Sequence, residues 1–396
     1  MSADAGSSTG ETPLDSIDWE SLEGRSRTVP WRLFAFVVGL VGLYLLYRHT
    51  SSHNVGLIYW WEPTKLTWLF RLSLLVLVCF AVPSFLRNSA RNRRYWRQFR
   101  TNKVAVVCLA YLLVFVLLAL VGPSLMGRPR THINAARQPP FLFSAKEGMV
   151  TADCIGHSVG GYCQGSLTYP LGTSTLGQDM VELVLSGMHV SLQVAVITAV
   201  FMIPLATAVG LVAGYSGGAV DTVLMRYVDV QQSVPTFVVY LILVFLTGPS
   251  LFAFVVVFGL LNWGSIARLV RSEVIQRREE PYIEAARSAG VSRLTVLRKH
   301  LLPNVSNTVL IGTTQKIPQL VLLETALTFI GIGDVGRWMP SFGETISVGI
   351  NSHFYTEPMQ VWWIWTVPVV VLVVTVVALS VVGDTLRDAF DPRGDV

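Results

Sequence analysis

Eight long apolar runs, at about 29–47, 66–86, 104–121, 189–213, 222–246, 250–267, 306–331 and 361–383, constrain this sequence more than any other feature. A hydrocarbon layer roughly 30 Å thick is crossed by about 20 apolar residues in a helix. Inside it every backbone N–H and C=O must find a partner within the protein, which leaves helices or closed barrels. Runs of this length predict an all-α integral membrane protein. Charged residues make up only 14% of the chain, against roughly 25% in soluble domains. Disordered, collagen-like and small disulfide-stapled chains are thereby excluded. With 396 residues, several spans leave no room for a large soluble enzyme domain. The run at 29–47 is the weakest, being short and carrying Arg32, and Arg71 lies near enough to an end of its run to snorkel.

The charges orient the spans. Seven basic residues lie in 87–103 and eight in 268–300, half of all Lys and Arg. Beside apolar runs such segments read as cytoplasmic rather than as nucleic-acid patches. The first 28 residues carry Asp4, Glu11, Asp15, Asp18, Glu20 and Glu23. They read as an acidic cytoplasmic tail, not a signal peptide, which would begin basic and turn apolar. Alternation from that tail puts 87–103, 214–221, 268–305 and 384–396 inside, with both termini cytoplasmic. It puts 48–65, 122–188 and 332–360 outside. Lys and Arg then divide as nineteen inside and seven outside, with four more within spans. The expected organisation is a tail at 1–28, an N-terminal hairpin at 29–86 and a core at 87–396, with an external loop at 122–188.

No Gly-x-x-x-x-Gly-Lys-Ser/Thr, His-Glu-x-x-His or Gly-x-Ser-x-Gly occurs, and no carboxylate pair sits mid-span. An enzyme reading has nothing to rest on, and no nucleotide or other cofactor is expected on this chain. Cys79 and Cys108 lie in apolar runs and read as packing residues. Cys154 and Cys163 lie in the loop assigned outside, where oxidising conditions would favour a disulfide. Two free thiols are the alternative. A metal site of Asp153, Cys154, His157 and Cys163 is disfavoured because the spacing matches no zinc pattern.

Residues 281–304 read PYIEAARSAGVSRLTVLRKHLLPN. Tyr282 to Ala289 suits a short helix rich in good formers. Gly290 suits its stop, and Ser292 suits the cap of a second helix from Arg293 to Leu301. Leu294, Leu297 and Leu301 form one stripe of that helix, and Pro303 precedes the next span. A compact basic helix pair between spans could dock a partner. It could equally be a solvated loop or a membrane-surface helix.

Glu284-Ala285-Ala286, then Gly290, then Leu302-Pro303 resembles the EAA loop of ABC-importer permeases. The ending His300-Leu301-Leu302-Pro303-Asn304 is similar to the dipeptide/oligopeptide/nickel branch of that family. Leu171-Gly172-Thr173 with Gly177-Gln178-Asp179 resembles the branch's LGTD…GRD motif, with Ser174 for Asp and Gln178 for Arg. Gly214-Tyr215-Ser216-Gly217-Gly218 with Asp221 and Met225-Arg226 is similar to its GY-x-GG-x-x-D…MR segment. Leu327 to Gly333 stands where the branch has LSFLGLG, and Gly383 to Arg393 resembles its terminal GDxLRDxLDPR. These motifs run in family order over about 93–393 and resemble the C-type member of a permease pair. The resemblance implies a six-helix type I importer core that couples through the 281–300 loop to separate ATPases. It also implies a homologous B-type permease beside it and an extracytoplasmic binding protein that delivers substrate. Peptide is the first expectation for the substrate and nickel the second. Residues 29–86 have no counterpart in the usual six-span chain, and packing or partner contact is their expected role.

A transport path needs polar or small faces inside the membrane. In the 306–331 run Thr308, Gly312, Gln315 and Gln319 share one helical face, and Lys316 and Glu324 are costly enough there to suggest function. Gln315, Lys316 and Gln319 are the expected path residues. Glu324 is a further candidate, although it projects nearly opposite the Gln face of an unbroken helix and lies about 12 Å along it from Lys316. Ala206, Gly210 and Gly214 form a small-xxx-small series for close helix approach. Pro204, Pro318 and Pro368 are candidate kinks. A passive channel would need a filter-like segment, and an ion-coupled transporter inverted repeats with broken helices. Neither is visible, and neither explains the EAA-type loop.

Overall fold

The computed structural model describes residues 65–87, 89–127, 129–150, 154–334, 339–351 and 358–390, with five positions between 37 and 44. The 29–47 run falls almost wholly outside the described residues. Two units divide the chain at 61/62, and the helices and strands named in this section belong to the second, 62–396. The helices are α1 (Lys65–Arg87), α2 (Ser89–Phe99), α3 (Lys103–Met126), α4 (Met180–Ser216), α5 (Gly218–Ser233), α6 (Thr236–Thr247), α7 (Leu251–Leu261), α8 (Gly264–Arg277), α9 (Pro281–Ser288), α10 (Leu302–Phe329), α11 (Phe342–Ile350) and α12 (Trp363–Phe390).

Among the described residues α3, α4, the α7–α8 stretch and α12 are long and apolar enough to cross a membrane. The 222–246 run, expected as one span, is instead the pair α5–α6, bent by 62°. Proline explains the break. Val234 precedes Pro235 and takes an extended conformation (φ −80°, ψ 119°), as residues before proline do. The Pro235 carbonyl then accepts from Val238 and Val239 to start α6.

At 37 residues, α4 runs roughly 55 Å, longer than a hydrocarbon layer roughly 30 Å thick. It is also the centre of the core. A Cβ added at Gly210 would lie 2.6 Å from the Ala267 carbonyl oxygen, and one at Gly214 would lie 2.8 Å from Val274 Cβ. The small-residue series thus lets α8 lie directly along α4. Near the N-terminus of α4, Gly187 gives the same access to Phe342 of α11.

On α1, Leu66, Phe70 and Ser73 are buried, and their i, i+4, i+7 spacing is one stripe. Phe70 meets the His189 ring of α4 edge-on at 5.5 Å. His189 Nδ1 also lies 2.8 Å from the Ala119 carbonyl of α3. Helix α1 is thus packed into the core.

The loop between α3 and α4 carries a three-stranded antiparallel sheet of β1 (Ser144–Lys146), β2 (Ser158–Val159) and β3 (Tyr162–Gln164), in the order β1-β3-β2.

Candidate functional site

Pro281 opens α9 at its first positions, where a missing N–H costs nothing. Glu284 sits in the first turn, favourably placed against the helix dipole. At the other end Val291 N–H donates to Ala286 O and Gly290 N–H to Arg287 O, a Schellman stop. It requires the left-handed conformation that Gly290 adopts (φ +76°). Ser292 caps the next helical turn, its Oγ accepting from Thr295 N–H.

The second helix departs from expectation. It does not end at Leu301. A helical turn at Arg293–Thr295 widens into a π-helical turn at Val296–Leu301, which runs on into α10. Proline inside a regular helix clashes with the carbonyl four residues back and leaves it without a donor. The wide turn just before Pro303 relieves that crowding. Asn304 Nδ2 bonds the His300 carbonyl at 2.7 Å and Tyr282 Oη at 3.1 Å, tying α9 to the start of α10. The His300 and Tyr282 rings lie 6.2 Å apart.

The expected leucine stripe is also divided. Leu301 is fully buried with Ile283, Val296 and Val305, and these join the main core. Leu294 is 73% exposed. The element therefore has an apolar base and a free tip. On the tip Glu284, Ala285, Gly290 and Arg293 are exposed, while Ala286 and His300 are half-buried; Leu302 and Pro303 at its root are exposed.

The GY-x-GG-x-x-D segment forms the seat, a role the residues alone had not suggested. The Arg287 guanidinium lies 4.9 Å from the centre of the Tyr215 ring, and Arg278 Nη1 bonds the Gly214 carbonyl at 3.0 Å. Gly217 and Gly218, both at positive φ, turn the chain from α4 into α5. Asp221 then takes Arg271 in a bidentate pair, with both N–O distances 2.5 Å.

In α10 Gly312 packs against Ile266 of α8 and Thr308 is half-buried. Gln315 and Gln319 are exposed and Lys316 is half-buried. Glu324 is 4% exposed, and one carboxylate oxygen accepts from Thr328 Oγ1 at 3.0 Å. The structure does not bring the four path candidates together: Glu324 belongs to the packed interior, and Gln315 and Gln319 share a surface.

In the loop between α3 and α4 the Cys154 and Cys163 sulfurs are joined at 2.01 Å, with Cα atoms 5.5 Å apart. Among the described residues no three His, Cys, Asp or Glu are grouped to hold a metal; Asp153 lies outside them. The Gly172–Asp179 motif is a clamp. Trp363 Nε1 of α12 bonds the Thr173 carbonyl at 3.1 Å, and a Cβ at Gly172 would strike that indole at 2.9 Å. Ser174, standing for the family Asp, accepts the N–H groups of Leu176 and Gln178 through Oγ. Asp179 caps α4 through Val181 N–H. Burial pushes its carboxyl above the ordinary value, offset in part by that bond.

The long apolar helices, the ordered 172–179 clamp and the docking-shaped 281–301 element define a multi-pass membrane subunit. Residues 206–395 match the family described as the binding-protein-dependent transport system inner membrane component. Residues 90–140 match the N-terminal TM domain of oligopeptide transport permease C. The chain is 32% identical over 316 residues to the dipeptide transport system permease protein DppC of Lactococcus lactis subsp. cremoris, covering 75% of this chain and 89% of that one. To DppC of Bacillus subtilis it is 28% identical over 303 residues, covering 75% and 84%. To the oligopeptide permease protein OppC of Escherichia coli K12 it is 30% identical over 297 residues, covering 75% and 89%. This chain belongs to that family of transport permeases and is a non-catalytic, multi-pass component of the cell membrane.

Proposed function

We propose that this chain is the C-type permease of an ATP-driven importer of di- or oligopeptides, pairing with a homologous B-type permease. Both termini lie in the cytoplasm. Two ATPase subunits hydrolyse ATP, one of them resting on the 281–300 element, and an extracytoplasmic binding protein supplies substrate at the outer face. The peptide assignment rests on relatives named for dipeptides and oligopeptides; no observation favours nickel.

The single observation that carries this reading is the build of the 281–301 element. Its exposed tip at Glu284, Gly290 and Leu294 stands on a base of Ile283, Val296 and Leu301 buried in the core. The helix continues without a break from that base into α10, so a displacement of the tip is delivered to the span rather than absorbed in a loop. Gln315 lies 21 residues beyond Leu294, about 30 Å along the helix. Gln315, Lys316 and Gln319 line the path between this chain and its B-type partner, while buried Glu324 holds the interior of the span. ATP-driven closure of the ATPases then favours one arrangement of α10 over another, through contacts that differ between the two states.

Two substitutions test the coupling. Proline, held near φ −65°, cannot adopt the +76° of Gly290, and Glu284→Lys inverts the charge on the exposed tip. Both variants should insert in the membrane and allow ATP hydrolysis but lose uptake in proteoliposomes. Full uptake in both refutes the docking assignment.

A further inference from the structure

Helix α2 lies outside the docking element and the path, and among its described side chains Arg93 and Arg97 take part in none of the ion pairs found. No Asp or Glu occurs between Glu62 and Glu147, so the helix has no acidic neighbour in sequence. On an 11-residue helix at 100° per residue, Arg93, Trp96 and Arg97 fall on one face. All three are exposed, as are Arg100 and Lys103 just beyond. The neighbouring side is occupied. Phe99 is buried with Ala105 and Val382, Gln98 Nε2 reaches the Asp388 carbonyl at 3.4 Å, and Asn102 Nδ2 bonds Thr385 Oγ1 at 3.1 Å. Asp384 and Asp388 are exposed on the nearby end of α12. Among the described residues, however, the ion pairs of Asp and Glu are made with other cations than these four.

Topology fixes where this face lies. One residue separates α1 from α2, and three separate α2 from α3. α2 is thus held between α1 and the membrane helix α3, at the inner end of α3 in the orientation proposed above, and its length, about 16 Å, is that of a connection along the surface. An interfacial helix with Lys and Arg beside an exposed aromatic is the form that engages headgroups, and basic side chains at that depth attract anionic lipid. Trp96, 46% exposed and stacked on Phe99 with ring centres 5.9 Å apart, has the amphipathic ring found at membrane interfaces.

From this placement we infer that Arg93, Trp96, Arg97, Arg100 and Lys103 form a binding face for anionic phospholipid headgroups of the cytoplasmic leaflet. The inference rests on the inner-face orientation given under the proposed function.

The test uses the assembled transporter in nanodiscs and spin-labelled phosphatidylglycerol against phosphatidylcholine. The wild type should prefer phosphatidylglycerol. R93Q/R97Q/R100Q/K103Q should lower that preference by at least about fivefold, the effect of one such charge, while R93K/R97K/R100K should retain it. Trp96→Phe, which keeps every charge and so survives if the quadruple variant fails to fold, should remove emission quenched by lipids brominated near the headgroup. Equal association of both lipids with the wild type overturns the inference, as does preference only in the isolated chain, which would mean that a protein partner covers the face. Labelling of Arg97→Cys by an impermeant maleimide from outside would instead overturn the orientation itself. Labelling from inside only, with no lipid preference, sinks the lipid face alone.

Discussion

Gly214→Ala tests the joint on which the inner face is built. A Cβ there would lie 2.8 Å from Val274 Cβ and 2.9 Å from the Arg271 carbonyl oxygen. Carbon atoms settle at roughly 3.5–4.0 Å, so α8 must move away by about 0.5–1 Å. One obstacle is backbone and the other a β-branched Cβ, and neither can swing aside. Overpacking of this kind costs about 1–3 kcal/mol. Replacing a helical glycine by alanine returns up to ~1 kcal/mol of propensity, leaving a net loss of about 1–2 kcal/mol. The functional effect should exceed the stability effect. The same movement pulls Arg278 from the Gly214 carbonyl and carries Arg271, the partner of Asp221, on the displaced helix. The assay is thermal unfolding of the purified transporter together with ATP-coupled uptake in proteoliposomes. Gly148→Ala, which meets nothing within 4 Å, is the control. A Gly214→Ala protein with unchanged or raised melting temperature and full uptake would show that α4 and α8 do not touch here.

Asp221→Asn removes a bidentate charge-assisted pair with Arg271 and should cost about 1.5–3 kcal/mol, read as a lower melting temperature. Arg271→Lys should rescue little because an ammonium cannot reproduce the fork. Cys154→Ser and Cys163→Ser should each release the outer sheet, at a cost of about 2–3 kcal/mol for a short closed loop. Maleimide should modify the outer loop of wild-type protein only after reduction, and labelling without reductant would contradict the bond. Asn304→Ala should reduce coupled uptake while leaving membrane insertion intact, since it frees Tyr282 from the start of α10. Gln315→Ala and Gln319→Ala should lower uptake with little change in melting temperature, because both side chains are exposed; unchanged uptake in both removes them from the path.

The residues alone go a long way on the inner face. Gly290 and Ser292 carry local chemistry, a left-handed stop and a cap, and the helix ends fall where those residues place them. Apolar run length likewise marks α3, α4, the α7–α8 stretch and α12 as long enough to cross, since backbone pairing inside lipid admits few alternatives. The runs at 66–86 and 306–331, by contrast, form α1 and α10, which are not among them. Pro235 and Pro303 show where such reading stops. One bends a span by 62°, while the other sits in a helix that continues through it on a π turn. The outcome depends on donors such as Asn304 and on what packs nearby. Glu324 and Gln315 are alike as polar intrusions in one run, yet one is buried and the other exposed, because neighbouring helices select the covered face.

Order along the chain by itself determined the class of molecule, the helix limits at Gly290 and Ser292, and the small-residue seam of α4. Each arises from interactions within a few residues or from the hydrocarbon layer. Only the tertiary structure decided that Tyr215 sits beneath Arg287, that Trp363 locks the 172–179 clamp and that α1 packs on His189. Those contacts join residues 72, 190 and 119 positions apart, and no local preference specifies a partner at that distance; shape and packing do.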